Sequence, residues 1–379
     1  MNILVVCHYG MYRDLSSSFV HAQAKAYAAL GHRVRVVVPI AIGKENWGGK
    51  RMSSPLQKRE IDGVELFLLR YLSLSKYGEK RFNTASALRA VRSHLNALLD
   101  GFAPDVIHAH TLGFDSEIGA WLKGRLHVPL VVTTHGETVC EAWGRNPVLL
   151  KTLANKAAAV VSVSSMFQKQ LLETHVNIKT PIILNGFHVE SAHFQKDKLP
   201  LSIVQAGYLV ARKKADVTIR ALASLRKRHP GVTLDIVGSG SELSRFQALC
   251  NELDVTDAVR FHGFLPNSQT LQIMSASRFF VMPSVQEGFG IVYLEAMASG
   301  CVTIGTEGEG IADLIISGEN GFLVPPDDPD AIVQTIEWCL GHPDKASAIA
   351  ERGRRDALNL TWEKNAKQYT ALFQEFSGY

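Results

Sequence analysis

The chain has 379 residues, 46% of them hydrophobic and 20% charged, with a formal net charge of +4. That length is more than one hydrophobic core usually serves, so two domains of roughly 190 residues each are expected. The composition excludes a disordered chain, and the small charge, with no basic stripe carrying aromatics, argues against nucleic acid as a partner.

Five cysteines, Cys7, Cys140, Cys250, Cys301 and Cys339, are scattered without a CxxC pair. They read as small buried apolar residues in a reducing compartment. The segment from Met1 to Cys7 has no charged start and too short an apolar run for a signal core, so it reads as a first strand. No stretch approaches the ~20 apolar residues of a membrane span. A cytoplasmic location is expected.

In chain order, Ile3–Cys7 reads as a strand, Ser18–Leu30 as a helix ended at Gly31, and Arg33–Pro39 as a second strand. The stretch from Lys44 to Arg81 breaks this alternation and reads as an excursion holding one strand, Val64–Leu69. Ser86–Leu99 follows as a helix, Asp105–His108 as a strand, Ile118–Leu122 within a helix, then strands Leu130–Thr134, Val160–Ser164 and Pro181–Leu184. Continuous apolar runs between helices imply a parallel sheet buried on both faces. Phe187 to Pro200 is polar and irregular and reads as the linker.

The plan then repeats. Strands are expected at Leu201–Ala206, Thr233–Val237, Val259–Phe261, Phe279–Met282 and Val302–Gly305. Helices are expected at Ala215–Arg228, Leu243–Leu253, Ser268–Ser275, Ile291–Ser299 and Asp330–Leu340, with a last helical stretch after Thr361. Two doubly wound domains place ligand crevices at the carboxyl ends of their strands, and a functional cleft between the two is expected.

Glu287 and Glu295, with seven residues between them, form the segment most able to name a chemistry. Pro283 ends a strand before them, and Gly288-Phe289-Gly290 makes a strand-to-helix turn where backbone N–H groups and a helix N-terminus can approach a phosphate. A carboxylate accepts two hydrogen bonds at once, which suits the vicinal hydroxyls of a ribose or sugar. Gly207, with Arg212-Lys213-Lys214 before the next helix, suits a diphosphate; the plain alternative is a solvated charge run. Gly238-Ser239-Gly240 is a further strand-end turn. His135 projects from another strand end as a functional candidate, while His108 and His110 are either a metal pair without a third ligand or, more simply, packing histidines.

Together these residues resemble the retaining glycosyltransferases of family 4, over almost the whole chain. The resemblance runs through Pro104-Asp105-Val106-Ile107-His108-Ala109-His110, Thr134-His135-Gly136, Asn185-Gly186, Gly207, Lys213, Val237-Gly238-Ser239-Gly240 and His262-Gly263-Phe264. It continues through Pro283-Ser284, Glu287 to Glu295, Gly310, Asn320-Gly321-Phe322-Leu323-Val324 and Thr361-Trp362-Glu363. It implies an α/β GT-B architecture: two doubly wound, parallel-sheet, Rossmann-like domains with an interdomain cleft. The first domain would comprise residues 1–190 with a returning helix 362–379, and the second residues 191–361.

The implied reaction moves a sugar from a nucleotide sugar, with UDP- or GDP-sugars expected, to a saccharide or lipid-linked acceptor in polysaccharide or glycoconjugate biosynthesis. It retains anomeric configuration and uses neither a metal nor a cofactor. By the resemblance, Lys213 binds the donor diphosphate, Glu295 the nucleotide ribose, and Glu287 and His135 stand beside the donor sugar; His135, Glu287 and Lys213 are the catalytic candidates, and Lys213, Glu287 and Glu295 are also donor-binding candidates. Gly207, Arg212, Gly238, Gly263, Phe264, Gly288, Phe289, Gly290 and Ile291 complete the donor set, and Gly10, Ser17 and His110 are the acceptor-side candidates. Asp328-Pro329-Asp330 mimics a metal-binding D-x-D but stands apart from these positions. The basic residues Lys44, Lys50, Arg51, Lys58, Arg59, Lys76, Lys80 and Arg81 could meet anionic lipid at the inner membrane face, or form a solvated face.

The chain departs from the family at Tyr208, where Arg is usual, at the first loop, which lacks a Gly-Gly pair, at His188 for Asp, and at Asp313 for Glu. Two rivals therefore accompany the transferase: another nucleotide-sugar enzyme such as an epimerase, and a catalytically silent nucleotide-sugar binder.

Overall fold

A computed structural model describes residues 1–8, 19–42, 55–73, 80–135, 147–188 and 194–378. They fall into two compact units, one of Met1–Gly186 with Trp362–Tyr379 and the other of Phe187–Thr361.

The first unit is built on β1 (Asn2–Val6), β2 (Arg33–Ile42), β3 (Leu56–Ile61), β4 (Val64–Leu72), β5 (Val106–Ala109), β6 (Leu130–Thr134) and β7 (Ala159–Ser162). Its helices are α1 (Phe19–Ala29), α2 (Lys80–Ser93), α3 (Leu95–Leu99), α4 (Phe114–Leu126), α5 (Pro147–Ala154) and α6 (Ser165–Glu173). The sheet order is β3-β4-β2-β1-β5-β6-β7, parallel except where β3 pairs antiparallel with β4. The central strands are Val- and Ile-rich and buried along their length, as strands covered on both faces must be. Leu4, Val6, Ile107, Val132, Ile118 and Leu122 meet in one core on one side of this sheet.

The second unit carries β8 (Leu199–Ala206), β9 (Thr233–Val237), β10 (Val259–Gly263), β11 (Ser277–Val281), β12 (Val302–Thr306) and β13 (Phe322–Val324) in the order β10-β9-β8-β11-β12-β13, with its paired strands parallel. Its helices are α7 (Ala215–Arg226), α8 (Leu243–Glu252), α9 (Asn267–Ala276), α10 (Ile291–Ala298), α11 (Pro329–Gly341) and α12 (Pro343–Leu358). Ile203, Ile236, Val281, Ile304, Phe246 and Ile336 are buried together in its core. The α/β class and the doubly wound sheets are those expected.

Several elements differ from the expectation. The excursion holds two strands rather than one, because β4 pairs in parallel with β2 while β3 folds back on its outer edge. Pro39 does not end β2, which runs on to Ile42 by pairing residue for residue with β4. The helix expected at Ser86–Leu99 is two, α2 and α3, divided at His94. Pro181–Leu184 makes only an isolated bridge, Ile182 to Ser162, and is no strand.

The final helix, α13 (Trp362–Ser377), lies on α1. Gln23 Nε2 donates to Asn365 Oδ1 at 2.6 Å, and Asn365 Nδ2 donates to Leu184 O at 2.8 Å. Ala366, Tyr369, Leu372 and Phe373 are buried, the 3.6-residue spacing having placed them on one face. Among the described residues no helix is long and apolar enough to cross a membrane. Of the basic residues weighed for a lipid surface, Lys58 and Arg59 are exposed on β3; Lys80 and Arg81 open α2, and Lys44, Lys50, Arg51 and Lys76 lie outside the described residues.

Candidate active site

In the second unit the chain winds one way from β8 to β9 and the other way from β11 to β12, so the β8–β11 boundary is the topological switch point where an open α/β sheet forms its ligand crevice. Beyond β8, Ala211–Lys213 makes one 3₁₀ turn before α7. Gln205 Nε2 donates to Lys213 O at 2.8 Å, and Val285 N donates to Arg212 O at 2.9 Å, fastening this turn to β8 and to the loop after β11.

That loop carries Glu287. Its Oε2 accepts from Arg212 Nη1 at 3.1 Å and from the Lys213 ammonium. Lys213 and Glu287 are 8% and 9% exposed. A buried charge left alone costs several kcal/mol, so each needs the other. Glu309 Oε2 accepts from Glu287 N at 2.8 Å, and Gly310 N donates to Glu287 O at 3.2 Å, which fixes the Glu287 backbone from the far side. Gly290 ends the turn at φ +75°, where a Cβ would also stand 2.7 Å from the Tyr293 ring. Ile291 then opens α10, and the Phe289 ring is buried.

Glu295 lies further along α10, where Asn267 Nδ2 donates to its Oε1 at 2.8 Å. Burial pushes its pKa up to about 7, against the pull of that hydrogen bond. Gly207 and Gly238 follow β8 and β9, and Gly263 ends β10: Gly207 N donates to Val237 O at 2.9 Å and Gly238 N to Gly263 O at 2.8 Å. Gly238 has φ +137°, and a Cβ there would lie 1.9 Å from Gly207 O, so no larger residue fits. Phe264 and Tyr208 are 75% and 65% exposed at this edge. The sequence-derived donor residues therefore share one carboxyl edge, with Gly207, Arg212, Lys213 and Glu287 at the switch point itself. Asp328, by contrast, caps α11 by accepting from Ala331 N at 2.9 Å. Among the described residues no three His, Cys, Asp or Glu side chains are grouped to hold a metal ion.

The first unit has the same switch between β1 and β5. His108 is buried, 2.8 Å from Thr133 Oγ1 through Nε2, and Thr133 Oγ1 lies 2.8 Å from the Tyr369 hydroxyl of α13. His110 Nδ1 and His135 Nε2 are 3.1 Å apart in stacked rings, and the Phe19 ring lies 4.6 Å from His135. Burial lowers the pKa of His108 and of His135 to about 3, and that of His110 well below its ordinary value, so all three rings are neutral. Gly10 and Ser17 lie outside the described residues. Sequence reasoning missed the group beside them: His8 Nδ1 is 2.9 Å from Asp115 Oδ1, and Thr111 Oγ1 donates to Asp115 Oδ2 at 3.0 Å.

Residues 16–186 match the family model of the glycosyl transferase 4-like domain, and residues 188–356 that of the glycosyl transferases group 1. A D-inositol 3-phosphate glycosyltransferase of Corynebacterium urealyticum is 32% identical over 46% of this chain and 44% of its own length. The enzyme of the same description from Corynebacterium jeikeium is 30% identical over 73% of each chain. Among solved structures, a sucrose-phosphate synthase of Thermosynechococcus elongatus superposes with a TM-score of 0.82 at 21% identity, covering 99% of this chain and 98% of its own. HepE of Anabaena, solved with UDP and glucose, superposes at 0.76 and 20% identity over 99% and 100%. At such identities the structures speak for the fold, and with both family models matched in order the chain belongs to the group 1 glycosyltransferases, of GT-B fold.

Proposed function

We propose that this glycosyltransferase takes its sugar from a nucleotide sugar, UDP- or GDP-linked, and passes it to a saccharide or lipid-linked acceptor with retained anomeric configuration and without a metal. The observation that carries this reading is the pairing of Arg212 and Lys213 with Glu287 at the switch point of the second unit. Two cations on one strand-to-helix turn offer fixed positive charge where a departing diphosphate develops negative charge, which is the work a metal would otherwise do. The Glu287 carboxylate is a single acceptor between them and, beside the donor sugar, would face the charge developing at the anomeric carbon. Glu295, on the next helical turns, would accept from the ribose hydroxyls. The UDP held by HepE favours a uridine donor, and the open Phe264 ring offers a face on which a base can stack.

The test is a melting-temperature screen of UDP-, GDP- and ADP-sugars, followed by nucleoside diphosphate release in excess EDTA. Stabilisation by one donor class and release that survives chelation are expected. Release that stops with EDTA and returns with Mg²⁺ or Mn²⁺ defeats the metal-free reading. Epimerisation without an acceptor, or tight binding without turnover, would favour the two rival activities.

A further inference from the structure

A second carboxylate clasps the donor turn of the second unit. Beyond β12, Gly310–Asp313 make one 3₁₀ turn, and Glu309 stands at its N-cap without capping it through the side chain. The carboxylate reaches the neighbouring loop instead, where Oε2 accepts from Glu287 N at 2.8 Å. Gly310 N donates to Glu287 O at 3.2 Å, so Glu287 is held through both of its backbone polar groups. A Cβ on Gly310 would stand 1.9 Å from Gly288 O, so the two loops meet backbone to backbone.

Both carboxylates lie near the buried Tyr293 hydroxyl. Burial raises its pKa most, the hydrogen bond with Ser284 lowers it, and the charges of Glu287 and Glu309 raise it further. That hydroxyl donates to Met282 O at 2.5 Å, so its proton serves neither carboxylate. What surrounds the two glutamates differs. Glu287 Oε2 carries the Arg212 and Lys213 cations. Glu309 is half-buried, and among the described residues it makes no ion pair and has Glu287 N as the one donor to its carboxylate. Its Oε1 is left open beside the turn.

A carboxylate oxygen accepts and does not donate, and its charge repels a phosphate, so this oxygen suits an uncharged donor group. The hydroxyls of a donor sugar are such groups. We propose that Glu309 is a specificity-determining residue whose Oε1 accepts from one hydroxyl of the donor sugar while Oε2 stays on Glu287 N. This role rests on the nucleotide-sugar reading above and concerns the second unit alone. It is selective because a sugar lacking that hydroxyl leaves a desolvated carboxylate oxygen unpaired. It also joins recognition to the reaction centre, since the group that meets the hydroxyl is the one that holds the Glu287 backbone.

The test uses the full chain and titration calorimetry. The ligands are UDP-glucose, UDP-N-acetylglucosamine or GDP-mannose, whichever raises the melting temperature most, and the analogues of that donor that each lack one sugar hydroxyl. All carry the same charge, so removing a negative side chain acts on them alike. The parent should bind one analogue about 10–100-fold more weakly than the full donor, the usual worth of a hydrogen bond to a charged group. Glu309→Ala should weaken the full donor by a similar factor and bind that analogue no worse than the parent does. Glu309→Gln, whose amide oxygen still accepts from Glu287 N, should melt like the parent and lose affinity for the full donor but not for that analogue. Full donor affinity in either variant overturns the proposal, as does a parent that binds every analogue as it binds the full donor. An equal loss for every ligand overturns it too, because Glu309 would then be a brace for the Glu287 loop and nothing more. A parent that binds no UDP- or GDP-sugar defeats the donor reading first, and this proposal with it.

Discussion

The two units share one winding and carry opposite chemistry at the same place in it. Beyond β8 and β11 stand fixed charges, Arg212, Lys213 and Glu287; at the ends of β1, β5 and β6 stand imidazoles, one paired with a buried carboxylate and the others held neutral by burial. A doubly wound sheet supplies the crevice, and side chains at the strand ends decide what it takes. The units differ also in what closes them. The second is made of one continuous run, whereas the first borrows its last helix from the end of the chain. The His108 ring lies 4.9 Å from Tyr369 and 5.4 Å from Phe373 of that helix.

That borrowing gives the largest expected effect. We predict that deleting Trp362 onward unfolds the first unit, since Tyr369 and Phe373 are buried and each large aromatic lost from a core costs about 3–5 kcal/mol. The second unit should remain folded and still bind nucleotide. Calorimetry checks this: loss of one transition, with the remaining one still raised by donor, is expected. A truncated protein that melts and reacts as the parent does would erase the asymmetry.

Next comes Lys213→Ala. Turnover should fall about 10²–10³-fold, the usual loss for one electrostatic donor in a transition state. The fold should hold, because Arg212 still faces Glu287 at 3.1 Å. Unchanged kinetics at saturating donor would remove Lys213 from the reaction.

How legible the two crevices were in the sequence follows from how far apart their parts lie. Glu287, the glycine turn and Glu295 are local, bounded by Pro283 and Gly300, so periodicity and turn chemistry placed them on the right elements. Arg212 and Lys213 lie 74 residues or more from Glu287, yet their strand-end position was readable from the apolar run before them. His8 and Asp115 offer no local signal: each is an ordinary polar residue until the β1–β5 register joins them. The same limit applies to fold details. Helix α12 was missed because its buried face is Ala346, Ile349, Ala350, Gly353 and Ala357, small residues that barely raise an apolar periodicity. Strand β13 has three residues, too few for a period.

The two glutamates should fail differently. Glu287→Ala is expected to lower kcat, because on the proposed reading its carboxylate faces the charge developing at the anomeric carbon. It should also tighten binding of the product nucleotide, since Arg212 and Lys213 lose the carboxylate that now holds them. Glu295→Ala should instead raise the donor Kd with little change in kcat, the ribose being unaltered by reaction. Titration calorimetry with UDP or GDP beside steady-state kinetics separates the two, and matching defects would merge the two roles.

The smallest expected effect is a titration confined to the second unit. Burial holds the Glu295 carboxyl at about 7, above its ordinary 4.5, so near neutrality it is only partly ionised. Ribose hydroxyls donate to an ionised carboxylate better than to a protonated one, so donor binding should favour the ionised form and draw its pKa down. The sign follows: affinity is full above pH 7 and weakens as pH falls through it, by about tenfold between pH 8 and 6 if binding needs the ionised form. An intact nucleotide sugar is the ligand to use, because its diphosphate carries no group that titrates in that range. Glu295→Gln, which keeps the shape without the charge, should bind more weakly at pH 8 and show no slope down to pH 6. The neutral histidines of the first unit, lowered to about 3 in the case of His108 and His135, cannot supply such a slope. A slope that survives Glu295→Gln would mean that another group titrates with the donor, and the ribose would lose its assigned partner.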